Sequence, residues 1–286
     1  MLLQKQVSLS VLRLDTINPV VSGNKLFKLH YFLEDCLASD YKTLLTFGGA
    51  WSNHLVATAY AGSITGIRTI GIIRGERPAT LSTTLLQCLE FGMQLKFVSR
   101  SAYTHKSTPE FVESLSKEYG PFTLVPEGGF DAKGARGAAL IMNLITGIDH
   151  THICTACGTA TTLAGLMMGS PKNKTIIGVS VLKGDSDIEE RVNALMGTGY
   201  DQPQLQMLTG YHFGGYAKKT DQLIAFMNQC WKQYQLPLDF VYTAKMFYAV
   251  MESIKLNQFL PGSKIICLHT GGLQGNRSLP VDTLLY

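Results

Sequence analysis

The sequence predicts an α/β protein with two open, twisted, mostly parallel sheets flanked by helices. Three observations carry that expectation. Apolar runs of strand length alternate with helix-length segments along residues 43 to 181. The connections between them are short, as in strand–helix–strand repetition. The run Thr175 to Val181, with Ile176, Ile177, Val179 and Val181, is apolar on both faces, which suits a strand inside a parallel sheet.

The elements follow in order. Thr43 to Phe47 reads as a strand broken by Gly48-Gly49, and Ser52 to Tyr60 as a helix ending near Gly62. Thr69 to Ile73 is the next strand, stopped by Arg74-Gly75, and Ser82 to Glu90 the next helix, with Gly92 as its stop. Leu95 to Val98 is a strand, Thr108 to Tyr119 a helix ended by Gly120, and Phe122 to Val125 a strand that runs into Pro126-Glu127-Gly128-Gly129. Gly134 to Thr146 reads as one helix, His152 to Ala156 as a strand, and Thr162 to Met168 as a helix. Lys264 to Leu268 is a late strand ending at His269-Thr270-Gly271-Gly272. No repeat and no clean linker interrupts the chain. The expected division is a small α/β domain over residues 38–135, inserted in a larger one built from 1–37 and 136–286.

Charged residues make up only 16% of the chain, against about 25% in ordinary domains. A chain so thinly charged buries much of its surface, part of it against a second copy, so a homodimer is expected. The net charge of +4 has no Lys/Arg block behind it, which argues against a nucleic-acid partner. No apolar run approaches the roughly 18 residues of a membrane span, and no signal-peptide core follows Met1. The cytoplasm is the expected compartment. The six cysteines are scattered and read as reduced core thiols. Cys154-Thr155-Ala156-Cys157 is no metal or redox motif, because it has no second pair and lies at a strand end.

Open sheets bind ligands beyond the carboxyl ends of their strands. Gly158-Thr159-Ala160-Thr161-Thr162 is a loop that opens a helix after a strand. Its backbone N–H groups, the helix dipole and three Thr hydroxyls suit a phosphate, although a tightly packed turn would look the same. The loop lacks the Gly-Lys-Ser/Thr ending of a P-loop and the G-x-G-x-x-G of a dinucleotide site. Ser52, Asn53 and His54 line a helix start that suits a carboxylate, with a plain N-cap as the simpler reading. Lys25 opens a helix carried by Leu26, Leu29 and Phe32 or Leu33. A lysine there sits in the positive field of the dipole, which depresses its pKa and favours the free amine of Schiff-base chemistry. Taken alone, it would be an exposed lysine.

These segments together resemble the 1-aminocyclopropane-1-carboxylate (ACC) deaminase and D-cysteine desulfhydrase family, within the tryptophan-synthase β-like, fold type II group of pyridoxal-phosphate enzymes. The matching pieces are Ser22-Gly23-Asn24-Lys25 with Lys28-Leu29, Phe47 to His54, Gly158 to Gly165, Val241 to Lys245, and His269 to Gly272. They fall in the family's order across nearly the whole chain. The resemblance implies pyridoxal 5'-phosphate as cofactor, joined to Lys25, which also moves the substrate's Cα proton. It implies Asn53 against the cofactor ring and Gly158, Thr159, Ala160, Thr161 and Thr162 around the phosphate. It implies Ser52, Asn53 and His54 at the substrate, with Ser52, Tyr216 and Tyr242 serving the reaction.

Thr243 and Thr270 stand where the ring-opening deaminases have glutamate and leucine, and hydroxyl residues there look like the desulfhydrases. A threonine at the ring nitrogen gives a weaker electron sink than a carboxylate, which suits expulsion of a good leaving group. The expected reaction is therefore β-elimination, D-cysteine to pyruvate, sulfide and ammonia. ACC deamination is the alternative, and a cofactor-binding protein with little catalysis is the alternative of another class. Relative to the family, the chain starts late, so either a trimmed start or a reduced edge of the larger domain is expected, and Phe27 stands where an arginine is usual.

Overall fold

The structure, a computed structural model, describes residues 1–21, 23–200 and 202–286. Ser22, the first residue of the Ser-Gly-Asn-Lys motif, lies outside the described residues. Strand β1 (Ser8–Arg13) and helix α1 (Asn24–Ala38) come first. A contiguous run follows: β2 (Thr43–Gly48), α2 (Asn53–Thr65), β3 (Arg68–Arg74), α3 (Thr83–Glu90), β4 (Gln94–Val98), α4 (Pro109–Tyr119) and β5 (Thr123–Val125). Next are α5 (Ala132–Ala139), β6 (His152–Cys157), α6 (Thr161–Gly169), β7 (Thr175–Ser180), α7 (Ile188–Met196) and β8 (Gln204–Leu208). Helices α8 (Asp221–Tyr234) and α9 (Thr243–Lys255) and strand β9 (Lys264–His269) complete the order.

The strands form a four-stranded sheet, β4-β3-β2-β5, and a five-stranded sheet, β1-β9-β6-β7-β8. Every pair within them is parallel. The expected class, two open parallel sheets flanked by helices, is the one observed. Both faces of each sheet are covered, as parallel sheets require. In the small sheet, Ile70 and Ile72 point to Leu115 of α4, while Ile73 on the other face meets Leu55 and Val56 of α2 and Leu85 of α3. In the large sheet, Cys154 and Val179 pack on α8 and α9, whereas Ile153 and Ile176 pack on α6 and α7.

Local chemistry sets the ends. Ser52, Ser82 and Thr108 accept from the third residue on to cap α2, α3 and α4, and Pro109 fits the first turn of α4. α2 begins one residue after the expected Ser52 but ends five residues beyond the expected Tyr60, stopping at Gly66 in the left-handed region. The single helix expected over 134–146 is instead α5 followed by a 3-10 stretch, Leu140–Ile145. α5 lies against α6 so closely that a Cβ on Gly165 would sit 2.5 Å from the Ala138 Cβ. Small residues buried on α5 therefore serve packing rather than propensity. At one edge of the five-stranded sheet β1 pairs with β9 over six residues, Ser8 with Lys264 to Arg13 with His269. Among the described residues no helix is long and apolar enough to cross a membrane.

Candidate active site

Strand ends from both sheets converge on one cleft of about 540 Å³, counting its space open to solvent. Gly158 after β6, Gly128 after β5 and Thr270 after β9 line it, together with Lys25 and Lys28 of α1, Asn53 of α2 and Tyr242.

Lys25 is placed by a backbone contact. Gly23 has φ +77°, and a Cβ there would lie 1.9 Å from the Thr270 carbonyl oxygen, so only glycine lets α1 start at this spot. The Asn24 N–H donates to that carbonyl at 3.3 Å. The Lys25 Nζ donates to Asn24 Oδ1 at 2.7 Å, and Asn24 Nδ2 donates to Thr162 Oγ1 at 2.7 Å. One buried amide thus ties the lysine to the Gly/Thr loop. Burial pulls the Lys25 pKa down to about 8, against the raising charge of Asp239. The cause is desolvation rather than the helix dipole that the sequence suggested. The consequence, a far larger share of free amine near neutral pH than an ordinary lysine has, is the same.

The Gly/Thr loop has the shape of an anion cradle. Ala160 at φ +65° caps α6, an unusual conformation for a residue with a Cβ. Thr159 and Thr161 hydroxyls are 3.0 Å apart, and Thr159, Ala160, Thr161 and Thr162 all line the cleft. Behind the loop, Arg191 Nη1 donates to the Gly158 carbonyl at 2.9 Å while its other nitrogen pairs with Asp185. Lys28 is a second buried amine on the same face of α1, donating to the Gly128 carbonyl at 3.2 Å. Burial, and then the charge of Lys25, hold its pKa well below the usual lysine range. Two amines and a helix start make the cleft electropositive. Cys157, also in the wall, is held as a thiol by burial, its pKa pushed up to about 11.

The other expected site residues fall into two groups. Asn53, Tyr242 and Thr270 line the cleft with the cradle and Lys25. The Asn53 Oδ1 is buried without a partner, an acceptor that a ligand can satisfy. Ser52, His54, Thr243 and Tyr216 stand around it rather than in its wall. The Ser52 hydroxyl caps α2 by accepting from the Leu55 N–H. The Thr46 hydroxyl donates to the Val125 carbonyl at 2.8 Å, so His54 Nε2, 3.0 Å from Thr46 Oγ1, carries the proton and Nδ1 is bare. Burial and the charges of Lys25 and Lys28 lower the His54 pKa to about 3, leaving a neutral ring turned into the small sheet. Tyr216 is 55% exposed, with its ring centroid 6.2 Å from that of Tyr242.

Asp239 was not foreseen. It is buried, and its carboxylate accepts the N–H groups of Val241, Tyr242 and Thr243 at 2.8–2.9 Å. The Thr243 hydroxyl donates to Asp239 Oδ1 at 2.8 Å. Lys28 and Arg191 were missed as well. Lys28 had a signal, since a residue three on from Lys25 shares its helix face. Arg191 and Asp239 act from distant segments and left none. Among the described residues no group of three or more His, Cys, Asp or Glu side chains could hold a metal ion.

A buried lysine of lowered pKa facing a cleft that also holds an anion cradle, where strand ends of two parallel sheets meet, suits an enzyme that uses a phosphate-bearing carbonyl compound. Residues 3–271 match the family described as pyridoxal-phosphate dependent enzymes, and the chain belongs to that family. A Pyrococcus abyssi protein with the provisional name 1-aminocyclopropane-1-carboxylate deaminase is 28% identical over 284 residues, covering 94% of this chain and 86% of its own. A D-cysteine desulfhydrase of Klebsiella pneumoniae is 26% identical over 279 residues, covering 90% of this chain and 84% of its own. The crystal structure of an ACC deaminase homologue superposes with a TM-score of 0.80 at 26% identity, covering 96% of this chain and 87% of the other. The cofactor is pyridoxal 5'-phosphate, and the residues present fit it: an amine for its aldehyde, N–H and hydroxyl donors for its phosphate, and the unpartnered Asn53 oxygen between them.

Proposed function

We propose that this chain is a pyridoxal-phosphate-dependent lyase that deaminates a small amino acid, with Lys25 as the residue that holds the cofactor and moves the Cα proton. The observation that carries the reading is the Lys25 amine, lowered to about 8 and linked through Asn24 to Thr162 of the cradle. When bound, the cofactor supplies a sink for the electron pair left at Cα. The protein supplies the rest. Gly158 to Thr162 hold the phosphate, with the buried Lys28 amine as a nearby donor. The N–H groups at the start of α2, from Asn53 and His54, hold the substrate carboxylate with the Ser52 hydroxyl, while the His54 ring stays in the small sheet. Tyr242, kept protonated by burial, Tyr216 and the charge of Asp239, faces the substrate beside Tyr216.

Two substrates compete. The relative at 28% identity and the crystal structure at TM-score 0.80 are both named for ACC deamination, and they favour that substrate over the D-cysteine that the sequence suggested. The hydrogen bond from Thr243 to Asp239 supports the shift. A hydroxyl polarised by a buried carboxylate restores part of the negative potential that a glutamate at 243 would give. Thr270 in the cleft wall keeps D-cysteine elimination as the second reading. Borohydride reduction of the holoenzyme and peptide mapping should place the cofactor on Lys25; a label on Lys28 or Lys245 overturns the assignment. Comparing kcat/KM for ACC and D-cysteine then decides the substrate.

The small-domain division at 38–135 and the homodimer belong to this proposal too. The four-stranded sheet, built only from the run β2 to β5, supports the first. The low charge content supports the second, which light scattering checks.

A further inference from the structure

Lys245 is a lysine with no exposed surface, on the first turn of α9, three residues beyond Tyr242. Burying an amine is costly unless it does something only a donor can do. Among the described residues Lys245 makes no ion pair. Its Nζ donates to the Gly215 carbonyl at 2.7 Å. That carbonyl belongs to a segment with little regular structure: Phe213, Gly214, Gly215 and Ala217 lie at φ +50°, +97°, +117° and +52°. The two glycines adopt such angles freely, but Phe213 and Ala217 carry a Cβ and are strained there, a conformation that persists only when contacts elsewhere hold it.

The contacts come from one side of α9. Phe213 packs edge-on against Tyr248 with centroids 5.0 Å apart, and Lys245 holds Gly215, the residue before Tyr216. Tyr216 then meets Tyr242, the residue that precedes α9, at 6.2 Å and 69°. The start of α9 therefore brings together one tyrosine of the pair and a donor to the residue before the other.

We infer that Lys245 is a positioning residue whose hydrogen bond to Gly215 sets Tyr216 against Tyr242 at the mouth of the cleft. The inference rests on the proposed role of these tyrosines, and its test separates the two. In holoenzyme carrying Lys245→Met, amide exchange of residues 212–218 should rise at least tenfold, while the cofactor absorbance is kept. Turnover should fall, and adding Tyr216→Phe should lower it no further, because a released tyrosine has no effect left to lose. Lys245→Gln keeps a shorter donor; it should fall between wild type and Lys245→Met, and it replaces the methionine variant if that one does not fold. Unchanged exchange at 212–218 overturns the inference, as do independent, multiplying losses from the two substitutions. Raised exchange with a Tyr216→Phe variant of full activity upholds the tether and removes Tyr216 from the reaction.

Discussion

Arg191 stands behind the phosphate cradle rather than in it, so replacing it tests whether the loop is shaped from outside. Its Nη1 holds the Gly158 carbonyl at 2.9 Å. The Gly158–Thr159 peptide is trans, so drawing that carbonyl toward Arg191 turns the Thr159 N–H the opposite way, toward the cleft that Thr159 lines. In Arg191→Met the charged hydrogen bond is lost, a cost of about 1.5–3 kcal/mol. Asp185, whose side chain is 7% exposed, keeps only the Ser180 hydroxyl at 3.4 Å besides water. With about half of that cost falling on the loop's shape, phosphate binding weakens by about 1.4 kcal/mol, or tenfold. The assay compares the affinities of the apoenzyme for pyridoxal phosphate and for pyridoxal. The phosphate ester should lose about tenfold and pyridoxal should be unaffected. An equal loss for both, or no loss for either, refutes the outside-shaping argument.

Thr162→Asp should abolish cofactor retention, because a carboxylate would replace the hydroxyl that accepts from Asn24 and would face a phosphate; absorbance after gel filtration checks it. Asp239→Asn removes the charge that raises the Lys25 pKa, so the pH midpoint for Schiff-base formation with pyridoxal should move below about 8, and an alkaline shift contradicts the assignment. Lys25 and Lys245 are both lowered to about 8, below their unfolded value near 10.4. The unfolded apoprotein then binds more protons between those values, so its folding stability should rise from pH 8 to pH 10.4 and be lost again as pH falls. Denaturant melts across that window should show the rise, and Lys245→Met should reduce it. Gly23→Ala should cost more than about 2 kcal/mol, read as a lowered unfolding midpoint, since the new Cβ would collide with the Thr270 carbonyl.

The sheets were legible because glycine pairs end the strands at the same place where the apolar runs stop. Gly48-Gly49, Gly128-Gly129 and Gly271-Gly272 mark three strand ends around the cleft. The cradle was legible for the same reason. Most of what sequence reading missed lies beyond residue 182. Helix α9 is buried on nearly every side, so it shows no polar face from which a period could be read. Strand β8 is short and polar at alternate positions. Asp239, Arg191 and Lys245 carry their meaning in bonds to segments that only the fold brings near, and Arg191 reaches back 33 residues to Gly158. The depressed Lys25 pKa was anticipated from a helix start but produced by enclosure, which no local pattern records.

The pairing of β1 with β9 also fixes when this enzyme can come into being. The four-stranded sheet needs nothing beyond Val125 and is free to form while the chain is still being made. Lys25 is synthesised earlier, yet its seat is the Thr270 carbonyl, and its strand neighbourhood waits for residues 264–269. Until the ribosome has delivered that last strand, Lys25 is an ordinary solvated lysine with an ordinary ammonium charge. A chain truncated before residue 264 should therefore lack the seat of Lys25 and fail to retain the cofactor, which absorbance after gel filtration checks.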